Sequence, residues 1–241
     1  AIGVDTIDLE AARAKGIRVA NVPDYCIDEV ADTAAAHILN AVRKLSFTRD
    51  MLLAQDFEMR RAGELFRIEE ATLSLLGFGN VARNLYKKMR SFFKRVVAYD
   101  PYFADAEAWP EVEFVSLEQA LRVANVVSVH VPLNSATRGM LSDAQFDLLR
   151  DGTILVNTAR GGVIDEAAML RALESGKLGF CGLDVICTED FVVSPLLHHP
   201  RVALTPHIAW CSTEAQAELQ RKVARNVVAA LTTGEPIYRA V

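Results

Sequence analysis

The chain has 241 residues, 51% of them hydrophobic, a formal net charge of -5 and a mean hydropathy of +0.16. That length holds one large domain, or one domain and part of another, and the apolar share marks a globular, core-rich chain. The acidic balance with no basic stripe speaks against a nucleic-acid surface, and no apolar run reaches the length of a membrane-crossing helix.

The chain opens Ala1-Ile2-Gly3-Val4-Asp5, without Met and in the manner of a strand running into a helix, as if cut from a longer chain. Asp8 to Lys15 then reads as a short helix closed by Gly16, and Ile17 to Val22 as a strand broken by Pro23. Ala34, Ile38, Ala41, Val42 and Leu45 give a long amphipathic helix from about Asp28 to Lys44. Ser46 to Glu70 is charged and weakly periodic, an arm or connection.

Ala71 to Leu76 reads as a buried strand, and Val81, Leu85, Met89 and Phe92 recur at helical spacing. Arg95 to Asp100 is a second strand. Ser116 to Gln119 and Ser142 to Gln145 have capping-box spacing ahead of two further helices. Strands follow at Asn125–Val131, stopped by Pro132, and at Thr153–Thr158, Gly182–Val185 and Val202–Thr205. Asp165 caps a helix running to Ser175 with Gly176 behind it; the last helix runs from Ser212 to Thr233 and is closed by Gly234 and Pro236. Continuous apolar strands alternating with helices predict an α/β fold, a doubly wound parallel sheet covered on both faces.

Between the strand at 71–76 and the strand ending at Asp100 lies Gly77-Phe78-Gly79-Asn80-Val81-Ala82, a G-x-G-x-x-A run. Gly77 makes the turn out of the strand, Gly79 lets the backbone approach a pyrophosphate, and Ala82 is small enough for close helix–strand packing. Helix-opening N–H groups would hold the phosphates, and Asp100 would accept hydrogen bonds from a ribose. The plainer reading is an ordinary strand-to-helix turn with a surface acid; the full strand, helix, strand and acid context favours a dinucleotide. Asp100 would repel a 2′-phosphate, and Arg95 stands at the far end of its strand, so NAD is preferred over NADP.

Ligands of such sheets bind beyond the carboxyl ends of the strands. Arg160, Glu189 and His207 follow three of those ends. Histidine titrates in the range needed to exchange a hydroxyl proton, a carboxylate beside it favours the imidazolium, and arginine presents a rigid fork to a substrate carboxylate. The set suits hydride transfer between NAD and a small 2-hydroxy or 2-keto acid. Taken singly, Arg160 reads as a surface charge, Glu189 as a loop acid and His207 as a core histidine. Gly161-Gly162 behind Arg160 suggests close backbone approach to a ligand. His130 is a rival proton carrier, and His198-His199 makes a poor metal site, so no metal is expected. Cys26, Cys181, Cys187 and Cys211 show no C-x-x-C spacing, which fits a reducing, cytoplasmic compartment.

With these motifs assembled, the chain resembles the NAD-dependent D-isomer-specific 2-hydroxyacid dehydrogenases. The resemblance rests on Gly77–Ala82 with Asp100-Pro101-Tyr102, on Val131-Pro132-Leu133 with Thr137, and on Asn157-Thr158-Ala159-Arg160-Gly161-Gly162. It rests also on Gly182-Leu183-Asp184-Val185 and Thr205-Pro206-His207-Ile208-Ala209. Trp210 and Asn21-Val22-Pro23 are most similar to the C-terminal-binding-protein branch. Asn80 departs from the basic residue common in the family's glycine loop, Ile186-Cys187 from an aromatic and an acid or proline, and Asp190 from a proline.

The resemblance implies a catalytic Arg160, Glu189 and His207. It also implies cofactor contacts from Gly77, Gly79, Asn80, Val81, Asp100, Val131, Pro132, Thr137, Thr158, Ala159, Arg160, Asp184, His207, Ala209 and Trp210. It implies residues 1–22 as a remnant of a substrate-binding domain, 23–233 as the NAD-binding domain with interdomain helices, and 234–241 as a return segment. A homodimer through the nucleotide domain would give the 46–70 arm a role. A corepressor-like NAD(H)-responsive binding module, or an inactive nucleotide-binding remnant, are the alternatives to an enzyme.

Overall fold

The structure is a computed structural model that describes residues 1–188 and 190–240. The chain divides into two compact units, residues 30–209 and residues 1–29 with 210–241.

The larger unit is built on a seven-stranded sheet, all parallel. Its strands are β1 (Thr72–Leu76), β2 (Arg95–Tyr99), β3 (Glu113–Phe114), β4 (Val126–Val129), β5 (Thr153–Asn157), β6 (Leu178–Leu183) and β7 (Val202–Leu204), in the order β3-β2-β1-β4-β5-β6-β7. Successive side chains of a strand face opposite sides of the sheet, and both sides here are apolar. Leu73, Leu75, Val96, Ala98, Val126, Ile154, Val156 and Phe180 pack with α2 (Ile27–Arg43) and α4 (Asn80–Met89). Leu76, Val97, Val127, Val129, Leu155, Cys181 and Leu183 pack with α5 (Leu117–Val123), α6 (Asp143–Phe146) and α7 (Glu166–Ser175). That is the doubly wound arrangement expected from the sequence.

Local caps fall where the residues call for them. Ser116 and Gln119 form a reciprocal capping box at α5, and at α6 the Gln145 side-chain oxygen accepts the Ser142 N–H at 3.3 Å and the Ser142 hydroxyl at 2.8 Å. Asp165 accepts the Ala168 N–H at 3.0 Å, and Gly176 ends α7 at φ 84°. The 46–70 arm contains α3 (Leu45–Leu53), which buries none of its residues, followed by irregular and 3-10 segments. Two boundaries differ from expectation. β6 begins at Leu178 and stops at Leu183, before Asp184 and Val185. Phe92 lies outside α4 and is 40% exposed, because the helix gives way to a 3-10 turn after Met89.

In the smaller unit, α1 (Leu9–Ala14) is capped by Asp8 and α8 (Thr213–Thr233) by Ser212 and Gly234. Ile17 to Val22 does not form the expected strand: among the described residues it makes one isolated antiparallel bridge, Ala20 to Arg239, flanked by the Asn21 N–H to Tyr238 carbonyl bond of 3.1 Å. Asn226 of α8 fastens both segments, donating to the Asn21 carbonyl at 3.0 Å and accepting the Tyr238 N–H at 3.1 Å. Lys222 is buried beside it and pairs with Asp24 at 2.6 Å and Glu218 at 3.2 Å.

Candidate active site

The strand register lines up one edge of the sheet. Tyr99 pairs with Leu76, Leu76 with Val129, Val129 with Asn157, Asn157 with Leu183, and Leu183 with Leu204. Asp100, Gly77, His130, Thr158, Asp184 and Thr205 each come one residue later, so they form a row along that edge. Strand order reverses between β1 and β4, the switch point where open α/β sheets bind ligands. A cavity of about 450 Å³ opens at the other end of the sheet, among Lys44, Phe47, Phe66, Arg150, Gly179 and Arg201, and none of the expected catalytic or cofactor residues lines it.

Gly77 stands at the switch point with φ 89°, and a β-carbon there would lie 2.9 Å from the His130 carbonyl carbon. Both observations demand glycine. Gly79 forms the N-cap of α4 with no side-chain cap, so the helix-opening N–H groups have no capping side chain. A β-carbon on Gly79 would point into open space, which leaves a ligand room to approach. Val81 is half-buried and Ala82 fully buried against the sheet. Asp100 accepts the Phe78 N–H at 2.9 Å on one oxygen and the Tyr102 N–H at 3.0 Å on the other. A carboxylate has about four acceptor positions, so capacity for ribose hydroxyls remains.

Two residues of this loop were invisible to motif reasoning. Phe78 is fully buried and meets Phe103, Trp109 and Phe114 edge to face at 5.1, 5.2 and 5.2 Å, an aromatic cluster that pins the loop. Arg83 reaches back to the Phe78 carbonyl at 3.2 Å and to the Asn80 side chain, and stacks over Phe103. The cation near this loop is therefore Arg83. Arg95 pairs with Glu113 at 2.6 Å, at the far end of β2.

Beyond β4, Val131 is buried and Pro132 exposed. The Thr137 hydroxyl donates to the Pro132 carbonyl at 2.5 Å and accepts the Asn134 N–H at 2.9 Å, closing the loop. His130 is hydrogen-bonded to the Ser128 hydroxyl at 2.8 Å, and burial pushes its pKa down to about 4. A ring that burial holds neutral is a poor proton carrier, which counts against it as the rival of His207.

Beyond β5, the buried Asn157 staples the next turn with both ends of its amide. It accepts the Ala159 N–H at 3.0 Å and donates to the Arg160 carbonyl at 2.9 Å. The Arg160 guanidinium donates to the Ala159 carbonyl at 2.8 Å. Thr158 is buried, and its hydroxyl has no hydrogen-bond partner among the described residues. Gly161 answers a different need from the one read in the sequence: a β-carbon would strike the Ile186 carbonyl carbon at 2.1 Å. It makes room for the protein's own backbone, and Gly162 faces the Leu133 side chain.

Beyond β7, His207 adopts φ 51°, a left-handed conformation that costs a non-glycine residue on the order of 1 kcal/mol or more. Asp184, fully buried at the end of β6, holds it there. Its carbonyl accepts the His207 N–H at 2.8 Å, and its carboxylate accepts the Ile208 N–H at 3.0 Å and the Ala209 N–H at 2.9 Å. Ala209 is buried at the end of this turn. The sequence marked Asp184 as a cofactor contact and missed this work. Arg160 and His207 thus leave β5 and β7, on the same edge and on either side of β6. Glu189 lies outside the described residues. Trp210 belongs to the smaller unit, where its ring centre is 6.3 Å from that of Tyr25.

Comparison with known proteins agrees with this geometry. Residues 35–209 match the family model described as D-isomer specific 2-hydroxyacid dehydrogenase, NAD binding domain. D-3-phosphoglycerate dehydrogenases of Mycobacterium bovis and Mycobacterium leprae are 35% and 34% identical over all 241 residues. The chain spans 45% of the length of each. Among solved structures, a D-2-hydroxyisocaproate dehydrogenase superposes with a TM-score of 0.88 at 31% identity, covering 99% of this chain and 76% of that one. A D-lactate dehydrogenase from Aquifex aeolicus, in complex with NAD and lactic acid, superposes with a TM-score of 0.89 at 27% identity, covering 98% and 78%. The chain belongs to the D-isomer specific 2-hydroxyacid dehydrogenases, and residues 35–209 carry their NAD-binding domain.

Proposed function

We propose that the chain catalyses reversible oxidation of a small D-2-hydroxy acid to its 2-keto acid with NAD(H). The observation that carries this reading is the common edge from which Arg160 and His207 leave β5 and β7, in line with the glycine loop. The NAD-binding domain suits its cofactor on two counts. Gly77 and Gly79 open a backbone cradle at the switch point, and Thr158 offers a buried hydroxyl with no partner among the described residues. NAD, when bound, accepts or returns the hydride.

The remaining work falls to side chains. Arg160 grips the substrate carboxylate with its fork and polarises the neighbouring carbonyl oxygen. His207 takes the hydroxyl proton during oxidation and returns it during reduction, and Glu189 favours the imidazolium by opposite charge. Gly77, Gly79, Asn80 and Val81 offer backbone to the cofactor, Asp100 its ribose acceptor, and Val131, Pro132, Thr137 and Ala159 further contacts, while Asp184 and Ala209 serve through the turn that carries His207. Loss of NADH absorbance with a panel of small 2-keto acids tests the reading. His207→Ala should lower turnover roughly 10²–10⁴-fold, the usual worth of an acid/base group, with NADH affinity nearly unchanged. Undiminished turnover in that variant overturns the assignment.

Residues 1–22 and 234–241 read as part of a substrate-binding domain, supported by the Ala20–Arg239 bridge and the Ala240 N–H to Val19 carbonyl bond of 2.8 Å. The exposed Leu45, Leu52, Leu53 and Phe57 of the arm support a homodimer. Four cysteines with no disulfide among the described residues, two of them buried, support a reducing, cytoplasmic setting.

A further inference from the structure

A buried relay stands behind the His207 turn. His37, on α2, is 6% exposed among Ala34, Ile38 and Ala41. A buried polar ring must find a hydrogen bond or lose free energy, whereas an aliphatic side chain would fill such a place without one. The Nε2 of His37 lies 3.1 Å from the Thr205 hydroxyl, which lies 2.6 Å from the nearer carboxylate oxygen of Asp184. Thr205 has one hydroxyl proton, and the shorter contact to a carboxylate takes it. The Thr205 oxygen is then the acceptor, so His37 carries its proton on Nε2.

The strand opposite makes room for the ring. A β-carbon on Gly182 would lie 2.7 Å from the His37 β-carbon and 2.9 Å from Nδ1. At the other end of the relay, three successive N–H groups, of His207, Ile208 and Ala209, all go to Asp184. They hold the turn in which His207 has its left-handed backbone.

We propose that His37 is a positioning residue for His207, acting through Thr205 and Asp184. His37 fixes the Thr205 hydroxyl, Thr205 fixes the rotation of the Asp184 carboxylate, and the carboxylate fixes the turn. The proposal rests on the reading of His207 as the acid/base group.

The test uses the full chain and two readouts. Amide hydrogen exchange at Ile208 and Ala209 reports the clamp directly. In His37→Ala, exchange there should quicken about tenfold or more while amides of β4 and β5 keep their protection, as for local opening. His37→Gln, whose side-chain amide can donate to Thr205, should restore protection. Thr205→Val should reproduce the His37→Ala effect, and the double variant should add nothing, as for members of one network. Turnover should follow the same order, with kcat lowered about tenfold in His37→Ala and KM for NADH within about twofold. Unchanged exchange at Ile208 and Ala209 in both His37→Ala and Thr205→Val overturns the proposal, as does an additive double variant. Should His37→Ala fail to fold, His37→Gln and the nearly isosteric Thr205→Val decide the matter through the same amides. If His207→Ala keeps full turnover, the catalytic reading falls, while the exchange result still judges the relay.

Discussion

A β-carbon on Gly161 would sit 2.1 Å from the carbonyl carbon of Ile186 and 2.2 Å from its oxygen. The turn that carries Arg160 is therefore pressed against the segment leaving β6, backbone on backbone. Neither side is a flexible side chain that could swing away. Gly161→Ala should destabilise the fold by about 3 kcal/mol, the upper range of overpacking, and pull Arg160 out of register. Gly162→Ala should cost under about 1 kcal/mol, because its nearest neighbours are Leu133 methyl groups at 3.1 and 3.3 Å that can shift. Urea unfolding of the two variants checks the contrast.

In the proposed cofactor site, Asp100 would set the choice of cofactor against a nearby cation. Its carboxylate is tied to the Phe78 and Tyr102 N–H groups, and the Arg83 guanidinium stacks on Phe103 close by. Replacing Asp100 by Asn removes the charge that repels a 2′-phosphate and leaves Arg83 in place. The NADH-to-NADPH ratio of kcat/KM should fall about tenfold or more in Asp100→Asn, and adding Arg83→Ala should reverse part of that gain in NADPH use. Steady-state kinetics with both cofactors decides it.

Acid should destabilise this fold through the buried His37 and the half-buried His130. Burial lowers the pKa of His37, partly offset by Asp184, and pushes that of His130 down to about 4. Both rings are then neutral in the fold at pH values where the unfolded chain is already protonated. The unfolded state binds more protons below about pH 6.5, so stability is full above that value and is lost as pH falls. For His130 the loss by pH 4 is at most on the order of 3 kcal/mol, at about 1.4 kcal/mol per pH unit, and less because the ring is partly exposed. Urea midpoints between pH 7 and pH 4 should fall with this slope, and His130→Gln, which cannot titrate, should flatten it.

The arm offers a test of assembly. Leu52 and Leu53 are 59% and 68% exposed on α3, and Phe57 beyond it is 73% exposed. The proposed dimer, joined through the arm, would cover this apolar surface. Sedimentation should show a dimer for the chain and a weaker one, by about tenfold or more in Kd, for Leu52→Glu with Leu53→Glu. A monomer for the unaltered chain removes the proposal.

The amino-acid order alone determined those features whose causes are local. Asp165, Gly176, Ser212 and Gly234 bound their helices where read, because a cap acts within one turn of its own backbone. The runs of β1, β4 and β5 are buried on both sides, and that pattern by itself specifies a covered parallel sheet. The G-x-G-x-x-A run with Asp100 was legible as a strand, turn, helix and strand for the same reason: its spacing is one βαβ unit. Wherever a partner far along the chain decides, local pattern fell short. Ile17 to Val22 has the composition of a strand, yet among the described residues it forms no ladder, only the isolated Ala20–Arg239 bridge and scattered backbone bonds to Ala1, Tyr238 and Ala240. Gly161 was read as facing a ligand and faces Ile186. His37, Thr205 and Asp184 are separated by as many as 168 residues, and no spacing rule joins them. Hydrogen bonds and steric exclusion act over a few ångströms of space. Only the closed sheet, with six strand ends brought into one row, decided which of these groups meet.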